Sequence, residues 1–461
     1  MVKNQQSVGA AVQGELFKRR RSEIPDAESV STLQEKLYQK AKQERKYKFY
    51  VLYDKLSIPY MLREAWKTVK ANGGSPGVDH LTIAAIEAAG IDQYLESLGE
   101  ELRKQTYEPQ AVKRVMIPKA NGGERPLGIP TVRDRIAQTV CKMILEPIFE
   151  ADFEESSYGF RPGRSSKNAI TAIKEHLKQG KTEVYDADLS KYFDMISPDK
   201  LLITLKERIS DPRILKLITK WLRAPVCEEG IYKGGKKNRE GTPQDGVISP
   251  LLANVYMHLI DRVVNKTTSL FHRAKVAIVR YADDFVLMGK TLPNQVIEKP
   301  KDLLGRMGLV LNEAKTRQIN AKESSFDFLG FTMRYDRDLK GRNSKYWNVI
   351  PSKKSEKKIR EKVREYLKVR GHYQARDIAA GLNTILRGWL NYFEITGVSY
   401  PAMSKRRLRY YLYEKLNRYY NRKSQRKSRL YGQRAFEELT TKFGLIDPIK
   451  YARPSASTLK A

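Results

Sequence analysis

Two adjacent carboxylates stand between two apolar runs in the segment AIVRYADDFVLMG (277–289). The runs AIV and FVLM each predict a short strand, because β-branched and aromatic residues suit a pleated, half-buried surface. Neighbouring carboxylates repel each other and resist burial, so they need either a solvated turn or a cation. The pattern therefore predicts a β-hairpin that carries Asp283 and Asp284 at its turn.

Acidic residues also end a second predicted strand, VYDAD (184–188), where alternation places Asp186 and Asp188 on one face. If the two strands are neighbours, carboxylates from both meet at one edge of the sheet. Mg²⁺ takes oxygen ligands of this kind, and two ions about 4 Å apart can serve phosphoryl transfer. An isolated Asp-Asp pair is also common in turns and caps, so both alternatives stay open on the residues alone.

The charge of the chain favours a polyanionic partner. Its 86 Lys and Arg outnumber 53 Asp and Glu, which gives a net charge of +33. A field of this size favours RNA or DNA over an acidic membrane surface.

Two separated cysteines exclude a disulfide scaffold and a Cys-rich zinc module. With neither an apolar run of membrane-spanning length nor a signal-peptide core, we expect a soluble, intracellular protein.

Hydrophobic periodicity predicts an α+β block followed by a helical, basic region. We expect helices in 31–72, 90–105, 133–150, 167–179, 200–224, 249–264 and 295–307, and strands in 111–132, 277–289 and 325–334. Residues 182–196 predict a strand that runs into a helix, and residues 226–246 predict a polar hairpin and loop. From residue 351 onward, 27 basic residues face 9 acidic ones, and tyrosines are interleaved among them. We therefore expect a polar basic arm (1–30), a main block (31–345), a helical domain (346–425) and a basic tail (426–461).

The segment Tyr281-Ala-Asp-Asp284 resembles the Tyr-x-Asp-Asp box of reverse transcriptases. Other segments occur in the order expected of group II intron-encoded reverse transcriptase/maturases: IPKANGGERPLGIPTVRDRIAQ (117–138), SYGFRPGRSSKNAI (157–170), DADLSKYFDMI (186–196), GTPQDGVISPLLANVYM (241–257), LNEAKTRQI (311–319) and FDFLGF (326–331). RGWLNYF (387–393) looks like the signature of their maturase, or thumb, domain. The resemblance covers roughly residues 35–425.

This resemblance implies a right-hand polymerase with fingers, a palm built on an antiparallel sheet, and an α-helical thumb. It identifies Asp188, Asp283 and Asp284 as the catalytic ligands of two Mg²⁺ ions, with Mn²⁺ as an alternative. The family spacing selects Asp188 over Asp186, because the ligand precedes an aromatic steric gate by five residues, here Phe193.

The resemblance also implies roles in substrate binding. The residues expected to hold or select the incoming dNTP are Lys119, Arg125, Phe193, Gln244 and Lys315. Those expected to contact nucleic acid are Arg161, Arg164, Gly330 and Arg387. Asp245 departs from the usual family glycine after Gln244, and Asp tolerates fewer backbone angles there than Gly.

The implied partners are structured intron RNA, an RNA template, a DNA primer or target and dNTPs, with no membrane and with a homodimer left open. The two isolated cysteines and five histidines lead us to expect a form without the family's endonuclease. The expected location is the bacterial cytoplasm, near the nucleoid when bound to DNA. Two alternatives are a domesticated enzyme in host defence or repair, and an RNA-binding splicing cofactor that has lost polymerase activity.

Overall fold

The computed structural model describes residues 30–118, 123–190, 192–234, 246–337, 344–371, 373–421, 430–432 and 434–452, without the side chain of Arg125. The helices are α1 (Val30–Gln43), α2 (Pro59–Asn72), α3 (Ile83–Ala89), α4 (Ile91–Lys104), α5 (Val132–Glu150), α6 (Ser166–Lys178), α7 (Tyr192–Met195), α8 (Pro198–Leu205), α9 (Pro212–Leu222), α10 (Ser249–Asn265), α11 (Leu270–Arg273), α12 (Asn294–Met307), α13 (Lys353–Lys368), α14 (Ala375–Phe393), α15 (Ala402–Asn421) and α16 (Ala435–Lys442). The strands are β1 (Val112–Pro118), β2 (Glu124–Ile129), β3 (Glu183–Ala187), β4 (Pro225–Glu228), β5 (Ile231–Gly234), β6 (Ala277–Tyr281), β7 (Asp284–Gly289), β8 (Arg317–Asn320), β9 (Phe326–Phe328), β10 (Phe331–Arg337) and β11 (Lys345–Pro351). The predicted α+β class is confirmed.

Three sheets organise these strands. Their orders are β2-β1-β4-β5, β6-β7-β3-β8 and β11-β10-β9. Strands β6 and β7 form an antiparallel hairpin, as do β1 with β2 and β10 with β11, while β1 and β4 run parallel. The second sheet matters most for the site, because β3 lies between β7 and β8 and so brings two acidic strand ends together.

Two of the predicted helical stretches are interrupted. The stretch 31–72 contains α1, a 3-10 helix (Tyr53–Ser57) and α2, and α2 begins at Pro59. The stretch 200–224 divides before Pro212, where Asp211 caps α9. Proline lacks the N–H that a continuing helix needs, so it starts a new one. Among the helices that the structure describes, none is long and apolar enough to span a membrane.

The chain forms two compact units. The first gathers the described parts of Met1–Ser165, Tyr185–Met288 and Leu292–Arg317, and the second gathers those of Ser166–Val184, Gly289–Thr291 and Gln318–Ala461. The second unit thus contains the third sheet together with the C-terminal helices, instead of beginning near residue 346. The boundaries expected from composition remain a proposal, since compact units and sequence domains need not coincide.

Helix α5 forms the centre of the first unit. Its apolar residues at helical spacing, Ile136, Val140, Ile144 and Ile148, are fully buried. The helix is buried well beyond this stripe, and its Asp134, Gln138 and Glu150 lie in the interior as well. A helix surrounded on most faces must pair its polar groups inside the protein. This requirement decides how one of the predicted site residues behaves, as described below.

Candidate active site

The hairpin of β6 and β7 places the two adjacent carboxylates where the sequence predicted them. Tyr281 pairs with Asp284 across the strands, which leaves Ala282 and Asp283 as the two central turn residues. Ala282 has φ +59°, a left-handed conformation at a position where hairpins prefer glycine. Asp283 is half-buried and Asp284 is exposed. The two acids therefore lie at a tight turn, next to Ala282, whose backbone has an unfavourable left-handed conformation.

Asp188 follows the neighbouring strand β3 and faces a loop that precedes β8. The Asp188 carbonyl accepts a hydrogen bond from Asn312 N at 2.8 Å, and Lys315 Nζ lies 3.2 Å from the Asp188 carboxylate. Asp186 has a different neighbour, Arg317, whose Nε lies 3.7 Å away. The two acids that strand alternation left equivalent therefore face different cations.

The carboxylates at this sheet edge lie within electrostatic range of each other. Partial desolvation, followed by the charges of Asp283, Asp188 and Asp186, raises the pKa of Asp284 to about 7. Desolvation and the Asp188 charge also raise the pKa of Asp283. Burial is the main cause of both shifts and the neighbouring carboxylates add to it, so a cation bound there would relieve the repulsion between these acids.

The site suits a divalent cation by donor type and charge. Asp188, Asp283 and Asp284 offer the oxygen ligands that Mg²⁺ prefers, and burial followed by the charges of neighbouring carboxylates raises the pKa values of Asp283 and Asp284. Within the described residues, no group of three or more His, Cys, Asp and Glu side chains is arranged to hold a metal ion. The fit is thus one of chemistry and proximity, and the ligand geometry is not preformed.

Phe193, the expected steric gate, lies on the one-turn helix α7 and packs partly against the core of the first unit. Its ring meets that of Tyr192 edge-on at 5.3 Å. The Tyr192 hydroxyl donates a 2.7 Å hydrogen bond to the Ala253 carbonyl, which fixes this helix to α10. Packing of this kind restricts the rotamers of Phe193, as a selective gate requires.

Several expected dNTP ligands fall outside what can be described. Lys119, Gln244 and Asp245 lie outside the described residues. Arg125 lies on β2 opposite Ile117 of β1, and its side chain is also outside them. Their substrate-binding roles stay predictions.

Arg161 does not have the surface position that a nucleic-acid contact needs, so this prediction is wrong. Its side chain is 1% exposed and forms a bidentate pair with Glu150 of α5, at 2.7 Å for the closest atoms. It also donates to the carbonyls of Glu154 and Ser157. Because the buried helix α5 carries Glu150, the guanidinium is drawn inward to neutralise it.

Arg164 is also largely engaged by its own loop. It pairs with Glu155, donates to the Glu155 carbonyl at 2.8 Å and lies over the Tyr158 ring at 5.5 Å. Its predicted nucleic-acid contact stays untested.

In the second unit, Gly330 lies at the turn of a two-residue hairpin. Leu329 and Gly330 have φ values of +48° and +79°, the pattern of a type I′ turn. The Gly330 carbonyl accepts hydrogen bonds from Ser352 N and Ser355 Oγ, both at 2.9 Å. The glycine is therefore required by its backbone conformation and by its contact with the start of α13.

The predicted maturase signature lies on α14 of the same unit. Arg387 is exposed, whereas Trp389 and Phe393 are buried and belong to the core of this unit. Phe393 contacts Phe331 at 4.8 Å, and the Tyr392 hydroxyl donates to the Leu329 carbonyl at 2.9 Å. The signature thus supports the Leu329–Gly330 turn while it presents one arginine to solvent.

The sequence reading missed Arg280, which precedes the acidic turn and is fully buried together with Asp261. A signal was present, since a charged residue inside a buried strand needs a buried counter-charge. The apolar residues around Arg280 obscured it.

Comparison with known proteins gives two family matches. Residues 117–333 match the family model described as reverse transcriptase (RNA-dependent DNA polymerase). Residues 356–436 match the group II intron, maturase-specific domain. The first match contains Asp188 and the Asp283–Asp284 turn, and the second contains Arg387.

Curated relatives agree with these matches. Protein YkfC of Escherichia coli (strain K12) is 34% identical over 71% of this chain and 93% of its own length. An uncharacterized 91 kDa protein in the cob intron of Schizosaccharomyces pombe is 28% identical over 71% of this chain and 49% of its own length. Group II intron-encoded protein LtrA of Lactococcus lactis subsp. cremoris is 38% identical over 40% of this chain and 30% of its own length. The matches thus span half or less of both intron-related proteins.

Proposed function

The chain belongs to the group II intron-encoded reverse transcriptase/maturases, a family of RNA-directed DNA polymerases, and we propose that it copies RNA into DNA at Asp188, Asp283 and Asp284. The observation that supports the proposal is the β6–β7 turn, which carries Asp283 and Asp284 within electrostatic range of Asp188 inside the reverse transcriptase match. The accompanying maturase-specific domain supports a second role in binding intron RNA, which would assist splicing and mobility.

The three carboxylates would hold two Mg²⁺ ions, with Mn²⁺ as a substitute. When bound, such ions stabilise the charge that develops as a primer 3′-hydroxyl attacks the α-phosphate of a dNTP. The protein itself contributes position and charge. Lys315, whose Nζ lies 3.2 Å from the Asp188 carboxylate, would either neutralise phosphate charge or protonate the departing pyrophosphate.

The remaining residues expected to contact substrate would also supply position and charge. Lys119 and Arg125 would hold the triphosphate, Gln244 would lie near the nucleotide and its template, and Phe193 would clash with a ribose 2′-hydroxyl. The half-buried ring of Phe193 supports this last role, because a gate must be rigid to discriminate by shape.

RNA recognition is proposed for the C-terminal helices. Exposed Arg387 and the 69% exposed Tyr410 lie on α14 and α15, among many Lys and Arg residues. Cations track phosphates and exposed rings stack on bases. The proposed partners are structured intron RNA, an RNA template, and a DNA primer or target. The proposed location is the cytoplasm of a bacterial cell.

Primer extension on an RNA template, with Mg²⁺ and dNTPs, tests the polymerase role. Wild-type protein should extend the primer, and Asp283→Asn, which keeps the shape but removes the charge, should lose at least about 100-fold in rate. Both proteins should bind intron RNA equally. Extension by neither, with tight RNA binding retained, would favour the splicing-cofactor alternative. A reading frame outside any intron RNA would favour the domesticated enzyme.

A further inference from the structure

All three nitrogens of the Arg280 guanidinium, next to the proposed catalytic turn, have hydrogen-bond acceptors. Its side chain and that of Asp261 are both fully buried, and their closest atoms are 2.6 Å apart. Arg280 Nε bonds Asp261, Nη1 bonds Asn254 Oδ1 at 2.9 Å, and Nη2 bonds Ser157 Oγ at 2.6 Å. Such a group can hold the surrounding backbone in one arrangement, because each of its donors would be costly to leave unpaired.

One of these donors reaches the catalytic turn itself. Arg280 Nη1 also donates to the Ala282 carbonyl at 2.8 Å. That carbonyl belongs to the peptide bond that joins Ala282 to Asp283. Ala282 has φ +59°, a conformation that costs a non-glycine residue free energy and persists only where its surroundings enforce it.

The same network holds the loop that supports the turn from the other side. Arg280 N donates to the Ser156 carbonyl, and Tyr158 N donates to the Arg280 carbonyl, both at 2.9 Å. Asn254 Nδ2 donates to the Gly159 carbonyl at 2.7 Å. Gly159 lies so close that a Cβ built on it would be 2.3 Å from Ala282 N. Arg280 therefore fixes both the turn and the surface against which the turn rests.

A second buried pair, formed by Arg161 and Glu150, offers a comparison for Arg280. Arg161 and Glu150 are 1% and 2% exposed, and Arg161 also contacts Ser157, through its carbonyl. None of the hydrogen bonds described for Arg161 reaches Ala282, Asp283 or Asp284. The two arginines thus match in burial, pairing and loop contact, and they differ in contact with the turn.

We propose that Arg280 is a positioning residue for the reaction, which holds the Ala282–Asp283 peptide so that Asp283 and Asp284 stay at the sheet edge that also carries Asp188, where the three carboxylates would bind metal. Asp261 and Asn254 orient its guanidinium. The inference rests on the proposed polymerase function and assigns to this buried cation a role in the geometry of the site.

The test compares Arg280→Lys with Arg161→Lys. Lysine keeps each charge but lacks the planar fork that bonds several acceptors at once. Both variants should lose similar stability in thermal melts. In RNA-templated primer extension, Arg280→Lys should lower kcat by about 10- to 100-fold, with KM for dNTP changed by less than about threefold, because misplaced carboxylates weaken the transition state more than substrate binding. Arg161→Lys should keep both constants within about threefold of wild type.

A second readout does not depend on catalysis. Mn²⁺ alone, titrated into each protein and followed by electron paramagnetic resonance, should bind about tenfold more weakly to Arg280→Lys than to wild type or to Arg161→Lys. Equal kcat and equal Mn²⁺ binding in the two lysine variants would overturn the proposal. If Arg280→Lys melts below the assay temperature, Asn254→Ala replaces it in the comparison, because this variant keeps the charges of both Arg280 and Asp261. Unchanged kcat and unchanged Mn²⁺ binding in Asn254→Ala would also overturn the proposal. If wild type itself fails to extend a primer, the polymerase function falls, while the Mn²⁺ titration still decides whether Arg280 positions the carboxylates.

Discussion

Replacing Gly159 by alanine should impair the active site from outside it. The added Cβ would lie 2.3 Å from Ala282 N, 3.0 Å from the carbonyl carbon of Tyr281 and 3.2 Å from Ala282 Cα. Ordinary contacts begin near 3.4 Å, so the catalytic turn or the Gly159 loop must move by about 1 Å. Both are main chain, and no side-chain rotation can relieve the clash. We expect about 1–3 kcal/mol of destabilisation and about a 100-fold loss of kcat.

Primer extension with saturating dNTP, combined with chemical denaturation, measures both effects. Gly305→Ala is the matched control, because Gly305 lies in helix α12 and its added Cβ would meet nothing within 4 Å. This control should keep wild-type kcat and gain about 0.5–1 kcal/mol from helix propensity. Wild-type kcat and stability in Gly159→Ala would refute the close packing of loop and turn, and with it the support that we assign to this loop.

Further variants probe other parts of the chain. Gly330→Ala should lower the unfolding free energy by about 1–2 kcal/mol in denaturant titrations, because its φ is +79° and the new Cβ would lie 2.8 Å from Ser355 Oγ; an unchanged midpoint would contradict this. Asp211 accepts hydrogen bonds from four backbone N–H groups, which lower its pKa despite its burial. The ionised Asp211 carboxylate therefore stabilises the fold fully above the unfolded pKa of about 3.9, and this stabilisation is lost as pH falls through the lower folded pKa. The difference in unfolding free energy between wild type and Asp211→Asn should shrink in unfolding titrations from pH 5 towards about pH 2. A difference that stays constant over this range would exclude this role. Arg387→Ala should leave the melting temperature unchanged and weaken intron RNA binding with a salt slope reduced by about one, whereas unchanged affinity would place Arg387 outside the RNA interface.

The acidic hairpin could be predicted because its information is local. Apolar runs on both sides of Asp283 and Asp284 determine two strands, and the repulsion of adjacent carboxylates determines that they lie at the turn. Strand alternation could not separate Asp186 from Asp188, since both lie on one face. Their different neighbours lie more than 120 residues further along the chain, Lys315 in the loop before β8 and Arg317 at the start of β8.

Buried charges were the part that local patterns could not give. Arg161 looks like a loop cation until Glu150 is known to lie on a helix with hardly any exposed face. Arg280 looks like an interruption in an apolar strand until Asp261 and Ser157 are brought to it from other elements. The sign of a charge is visible in a sequence, but its partner is a tertiary fact.

The interrupted helices show a second, smaller limit on what local sequence patterns can predict. Periodicity continued across Asp211 because apolar residues occur on both sides of it, yet the cap formed by Asp211 and the following Pro212 ends one helix and starts another. The capping pattern was present in the sequence and carried more information here than the hydrophobic period.

The central claim is that Asp188, Asp283 and Asp284 together perform nucleotidyl transfer. Single-turnover primer extension on an RNA template, comparing Asp188→Asn with Asp186→Asn, tests it most directly, because the two acids share one strand end and differ in the cation that each one faces. We predict that Asp188→Asn loses at least about 100-fold in rate while Asp186→Asn stays within about tenfold of wild type. Near-normal synthesis by Asp188→Asn, or an equal loss in both variants, would contradict the assignment.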